Sequence, residues 1–182
     1  MAASVRHALR CRALVAEDEQ VWKWLSLGMH SALQGACICH LVTTAAPVGA
    51  VTKKNAAEWL SYFEASRNDP NAKPPATYLL DLPSLLKQVR KPHSAGNRSN
   101  ENGISITDGE LRRLKSFHTD LRNQFTHFAP RGWAIEISGT TYLESLVSRI
   151  VAEIQDAGWA FRQKGEAWQE AFRADLKELR GE

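Results

Sequence analysis

Thr107, followed three residues later by Glu110, opens a stretch in which Leu111, Leu114, His118, Leu121, Phe125 and Phe128 recur at nearly heptad spacing. The Thr-x-x-Glu spacing is that of a capping box, in which two side chains satisfy backbone N–H groups that the first turn of a helix leaves without partners. A stripe this regular predicts a long helix, stopped by Pro130 and Gly132. An apolar stripe cannot stand alone in water, so the rest of the chain must supply faces to cover it.

Those faces are helical too. From Glu17 to Thr44 the residues Val21, Trp24 or Leu25, Gly28, Ala32, Gly35 or Ala36, Cys39 and Val42 follow helical spacing after an acidic start, with Pro47 and Gly49 beyond the end. The small residues Gly28, Ala32, Gly35 and Ala36 predict close approach by a neighbouring helix. Asn55 to Ser66 supplies Trp59, Leu60, Tyr62 and Phe63; Asp81-Leu82-Pro83-Ser84 reads as a capped start with proline in the first turn. His93 to Gly103 is polar and reads as an exposed loop, and Trp133 to Ile137 alternates briefly. Thr141 to Asp156 is helical, Gly158 interrupts it, and a last amphipathic helix carries Trp168, Phe172, Leu176 and Leu179, either as a packed cover or as a partner-binding element. The chain reads as all-α: a four-helix up-and-down bundle with extra short helices. Residues 1–16 are expected to be a basic helix or arm, 17–160 the bundle, and 161–182 a C-terminal amphipathic helix.

With 182 residues and a net charge of +3, one soluble domain is expected, and charge alone selects no partner. The longest apolar run, around Gly35 to Val51, is broken by His40 and Pro47, so no membrane span is predicted. Cys11, Cys37 and Cys39 form no ligand or disulfide frame and read as buried thiols in a reducing, cytoplasmic setting. His30 and His40 beside those thiols lack a recognised metal-ligand spacing and read as core residues. The six tryptophans read as core or interface anchors rather than platforms for bases.

On a regular helical wheel with Phe125 at the centre of the core face, Arg122 lies about 60° away, Thr126 about 100°, Asn123 about 160° and His127 about 200°. These residues form a polar side, and Arg131 follows just beyond. A helix ending in Leu121-Arg122-Asn123, then His127-Phe128, a proline and Trp133-Ala134-Ile135-Glu136, with another helix after it, resembles the HEPN superfamily. Arg122 matches the family's arginine, Asn123 its polar follower and His127 its histidine, and the order of helices from about residue 17 to 156 agrees. The resemblance implies a HEPN-like helical bundle that dimerises, with two motifs brought together.

What the resemblance implies chemically is a metal-independent endoribonuclease, with no cofactor, in a toxin or defence system. The ribose 2′-hydroxyl attacks its own phosphodiester, leaving a cyclic phosphate and a 5′-hydroxyl. His127 moves the proton, Arg122 offers a fixed fork of donors to the phosphate, and Asn123 orients one or the other. Thr126 and Arg131 are candidate substrate-binding residues. The expected partners are RNA, a second copy of the chain, and an antitoxin or nucleotidyltransferase-like protein. Two alternatives stay open. Asn123 and His127 can simply cap a helix C-terminus while Arg122 pairs with an acid elsewhere. The whole can also be a catalytically silent module binding a partner protein or nucleotide through the Trp168-Phe172-Leu176 face. A second Arg-x4-His pair, Arg113 with His118, reads as a core or interface histidine beside a solvent-facing arginine, because His118 falls on the apolar stripe.

Overall fold

A computed structural model describes residues 1–44, 46–122 and 138–182; within these, the side chains of residues 19, 120–122 and 138–140 are left aside. The described residues form seven α-helices: α1 (Ala2–Leu14), α2 (Trp22–Leu41), α3 (Lys53–Ser66), α4 (Leu82–Val89), α5 (Asp108–Ser116), α6 (Ser138–Asp156) and α7 (Glu166–Arg180). Among them no named strand occurs, only an isolated antiparallel bridge between Val51 and Leu79. The all-α expectation holds, and the helices pack as a bundle. No helix is long and apolar enough to cross a membrane among the described residues.

Four helices close a ring: α1 packs on α2, α2 on α6, α6 on α7, and α7 returns to α1. One core runs through them, with Val5, Ala8, Leu25, Met29, Leu33, Ile150, Ile154, Phe172 and Leu176 essentially buried. The N-terminal segment is therefore a wall of the bundle rather than an arm. Gly28 is the close approach its sequence predicts, since a Cβ there would sit 3.2 Å from the Ser4 carbonyl oxygen of α1. Arg12 joins α1 to two further walls. Its Nη1 donates to the carbonyls of Glu178 (2.8 Å) and Leu179 (3.2 Å) at the end of α7, and lies 3.6 Å from the buried Glu144 carboxylate of α6. Burial pushes the Glu144 carboxyl up, and the Arg12 guanidinium opposes that only in part.

The face of α7 offered as a partner surface is used inside the molecule. Phe172, Leu176 and Leu179 are at most 2 % exposed, and Trp168 stacks on Phe172 at 5.1 Å between centroids. Gln155 of α6 seals the seam by donating to the carbonyl (2.9 Å) and side-chain oxygen (2.7 Å) of Gln169. Gly158 ends the turn after α6 with φ +78°, a conformation that costs other L-residues and costs glycine nothing.

The segment from His93 to Gly103 is the expected loop, with most of its residues exposed, and it is also held by internal hydrogen bonds. Asn100 accepts from the Ala95 N–H (2.8 Å) and donates to the Ser94 hydroxyl (3.2 Å) and the Asn102 carbonyl (2.9 Å), while the His93 N–H donates to the Asn100 carbonyl (2.8 Å). Ala95 is buried, and the Gly96 N–H donates to the His40 carbonyl at the end of α2 (2.8 Å). Polar composition predicted exposure, and within the exposed loop Asn100 and the Gly96 N–H also bind neighbouring residues and the end of a helix.

Candidate active site

The expected cap of α5 is present in full. The Thr107 hydroxyl accepts from the Glu110 N–H at 3.2 Å, and the Glu110 carboxylate accepts from the Thr107 N–H at 2.8 Å. Burial works to raise the Glu110 carboxyl, but the Thr107 hydrogen bonds and Arg149 of α6, 2.9 Å away, outweigh it and hold the group low. Arg149 also donates to the Ser105 carbonyl at 2.7 Å, so the start of α5 is clamped to the middle of α6.

Beyond Ser116 the long regular helix expected from the stripe gives way to a π-helix, Phe117–Arg122. A π turn takes an additional residue, so successive side chains are separated by less than the about 100° of an α-helix. Phe117 and His118 thereby both serve the α2 side: Phe117 is buried, and His118 is half-buried against His30 of α2. The Thr119 hydroxyl donates to the Lys115 carbonyl at 3.0 Å, a local side-chain bond that competes with regular helical pairing.

Nε2 of His30 and Nδ1 of His118 are 2.8 Å apart, and the two rings stack at 5.1 Å with 20° between their planes. The Phe117 ring lies 5.9 Å from His30. Asp81, the N-cap of α4, accepts from the Ser84 N–H at 2.9 Å; its carboxyl is held low chiefly by Ser84, with a smaller contribution from the nearby His118. On the other flank the Arg113 guanidinium lies 4.6 Å from the centroid of the Tyr142 ring near the start of α6. The second Arg-x4-His pair is thus split: Arg113 is exposed and turned toward Tyr142, whereas His118 is turned toward His30.

Arg122 is the last residue of the π-helix, and Asn123, Thr126, His127 and Arg131 lie outside the described residues, as does the alternation from Trp133 to Ile137. Among the described residues, the π turn that ends at Arg122 packs on α2, and α6 begins at Ser138. Chain order gave no hint of the contact between His30 and His118. Each histidine alone reads as a core residue, and only the fold puts them together. No family model, curated protein or solved structure matches this chain. The HEPN resemblance therefore stands on the motif residues and their order alone.

The described residues hold no group of three or more His, Cys, Asp or Glu side chains arranged to bind a metal ion. Cys11 and Cys37 are buried, Cys39 is half-buried, and all three are free thiols; burial pushes Cys37 up to about 12, so it is protonated at neutral pH and unsuited to nucleophilic or ligand chemistry.

Proposed function

We propose that this chain is a HEPN-like, metal-independent endoribonuclease that cleaves RNA by attack of the ribose 2′-hydroxyl on the adjoining phosphodiester, as a toxin or defence component. The observation that carries the reading is the sequence Arg122-Asn123-x3-His127, beginning on the last residue of a π turn and followed by a long helix in an all-helical bundle. π turns recur at functional sites, because they turn a side chain out of regular register. In the reaction His127 accepts or donates the proton and Arg122 neutralises charge gathering on the phosphate, with Asn123 orienting them. Thr126 and Arg131 bind flanking phosphates.

One Arg-His pair supplies one proton-transfer group and one cation. A second copy across a two-fold axis completes acid and base, so the active form is a homodimer. In the competing reading, a silent module docks a partner through the Trp168-Phe172-Leu176 face, of which Phe172 and Leu176 are buried within the chain and Trp168 is half-buried.

The test is incubation of the purified chain with end-labelled mixed RNA in excess chelator, beside Arg122→Ala and His127→Ala variants with unchanged thermal melts. Each variant is expected to lose about a hundredfold or more in rate, with cyclic-phosphate and 5′-hydroxyl ends from the wild type. Undiminished cleavage in both variants, or a strictly monomeric mass under conditions of full activity, would overturn the assignment.

A further inference from the structure

A hollow of about 340 Å³ lies where the end of α2 meets the turn between α6 and α7. Cys39 and residues 42–44 form one side of it, and residues 160–164 the other. Its volume falls at the lower end of the range of about 300–1,000 Å³ typical of small-molecule sites. The floor is apolar: Phe161 is buried, and Cys39, Val42 and Ala160 are half-buried. The rim carries two exposed cations, Arg162 and Lys164, and the lining contains no carboxylate.

Both cations are held against aromatic rings. The Arg162 guanidinium lies 3.4 Å from the centroid of the Trp159 ring, and its Nη1 donates to the Trp159 carbonyl at 3.0 Å. Trp159 is itself fixed, because its indole N–H donates to the Val42 carbonyl at 2.9 Å. The Lys164 ammonium lies 5.7 Å from the centroid of Trp168, which stacks on Phe172. Between the two, the Phe161 carbonyl accepts from the Lys164 N–H (2.9 Å) and from the Gln169 side chain (2.8 Å), which ties the turn to α7.

Among the described residues neither Arg162 nor Lys164 forms an ion pair, and the Nε and Nη2 side of the guanidinium donates to no protein group. Burial pushes the Cys39 thiol up, and Arg162 is among the charges that oppose this, so its field reaches the floor of the hollow. The hollow between α1 and α7 is different. There Arg6 is paired with Asp175 at 3.0 Å, and Glu178 shares the lining with Arg10.

We propose that the hollow beside Trp159 binds the terminal phosphate of a small phosphate monoester, with Arg162 and Lys164 on the phosphate and the apolar floor under the rest of the molecule. A terminal phosphate near neutral pH carries about −1.5 to −2 charges and three acceptor oxygens, which matches two cations with no acid between them. The open side of the Arg162 fork takes two of these oxygens, and Lys164 acts as a point charge beside the third. An internal phosphodiester carries a single charge and leaves one of the cations unmatched. The site uses no residue of the Arg122 motif, so it stands independently of the ribonuclease reading.

The test titrates the full chain, 15N-labelled at the tryptophan indoles, at constant ionic strength. The probes are inorganic phosphate, thymidine 5′-monophosphate, thymidine, and the dinucleotide in which one phosphodiester joins two thymidines. Expected is a saturable shift of the Trp159 indole signal with inorganic phosphate and, at lower concentration, with the monophosphate. Thymidine and the dinucleotide are expected to bind at least about tenfold more weakly than the monophosphate. Arg162→Ala at unchanged Tm is expected to weaken monophosphate binding by about tenfold or more, and Lys164→Gln by a smaller factor, whereas Arg10→Gln on the other hollow leaves it unchanged.

Absence of a saturable shift with both phosphate and the monophosphate would overturn the site. Equal affinity for the monophosphate and the dinucleotide would overturn the monoester class, and an equal loss in Arg10→Gln would reduce the effect to attraction by a basic surface. If Arg162→Ala changes Tm, Lys164→Gln decides, read on the Trp168 indole signal: undiminished binding in that variant would remove Lys164, and with it the two-cation site.

Discussion

Replacing His40 with glutamine is expected to flatten the loss of stability that acid imposes on this fold, and the size of the effect follows from one ring nitrogen. His40 is fully buried at the end of α2. The Ser94 hydroxyl spends its hydrogen on the Val89 carbonyl (3.1 Å), so it accepts from Nε2–H of His40 at 3.0 Å, which fixes the tautomer. Nδ1 is left bare, buried and without a hydrogen-bond partner among the described residues. Protonating it creates a buried cation with nothing to receive the new N–H, and burial accordingly lowers the pKa to about 4. In the unfolded chain the same ring titrates near about 6.5. The folded value is the lower one, so the unfolded state takes up the proton first. The stability this residue supports is complete above about pH 6.5, declines as the pH falls, and is gone by about pH 4. A difference of about 2.5 units corresponds to roughly 3 kcal/mol, a large part of the 5–15 kcal/mol typical of a domain. Glutamine reaches the same hydroxyl with an amide N–H and does not titrate. Urea unfolding of both proteins at about pH 7, 5.5 and 4.5 isolates the effect, because the carboxylates common to both cancel in the difference. The stability gap between the two is expected to shift by about 2–3 kcal/mol in favour of the variant across that range. Parallel pH curves would refute the reasoning.

Three further substitutions probe the joints of the fold. Asn55 is buried and ties α3 to the following segment by donating to the Ala76 carbonyl (2.7 Å) and accepting from the Tyr78 N–H (2.8 Å); Asn55→Ala is expected to cost about 2–3 kcal/mol in urea unfolding and to speed proteolysis between residues 67 and 80. A Cβ on Gly96 would collide with the Val42 carbonyl oxygen and come within 2.5 Å of the Trp159 indole nitrogen, so Gly96→Ala is expected to lower stability by about 1–3 kcal/mol, read as a drop in Tm with a changed tryptophan emission spectrum. Arg12→Met is expected to cost about 3 kcal/mol or more at neutral pH by leaving the Glu144 carboxylate buried beside no cation, and adding Glu144→Gln should recover much of that in a double-mutant cycle.

The elements were legible because each announces itself locally. Thr107 with Glu110, Asp81 with Pro83, and the small residues of α2 are signals written within a few positions of one another, and each does in the fold what its spacing implies. The roles of the chain ends were not legible. Amphipathicity shows that α7 has an apolar face, but whether the face meets α1 and α6 or a foreign surface depends on contacts between residues more than a hundred positions apart, such as Arg12 with Glu178 and Leu179. For the segment from His93 to Gly103, composition marked the exposed loop but not its internal bonding. Asn and Ser are as well suited to bonding one another and an exposed helix end as to bonding water, and composition does not distinguish the two.

The motif poses a harder problem of the same kind, because the wheel that set Arg122, Asn123 and His127 apart from the core assumed a regular helix up to Phe128. The π turn begins at Phe117, ahead of Arg122, and its inserted residue shifts the register at which Arg122 is reached. An angle read from a regular helical wheel therefore does not carry to Arg122. What survives the change of register is order and chemistry: an arginine that ends the π turn, then an amide and a histidine, all within six positions of the sequence.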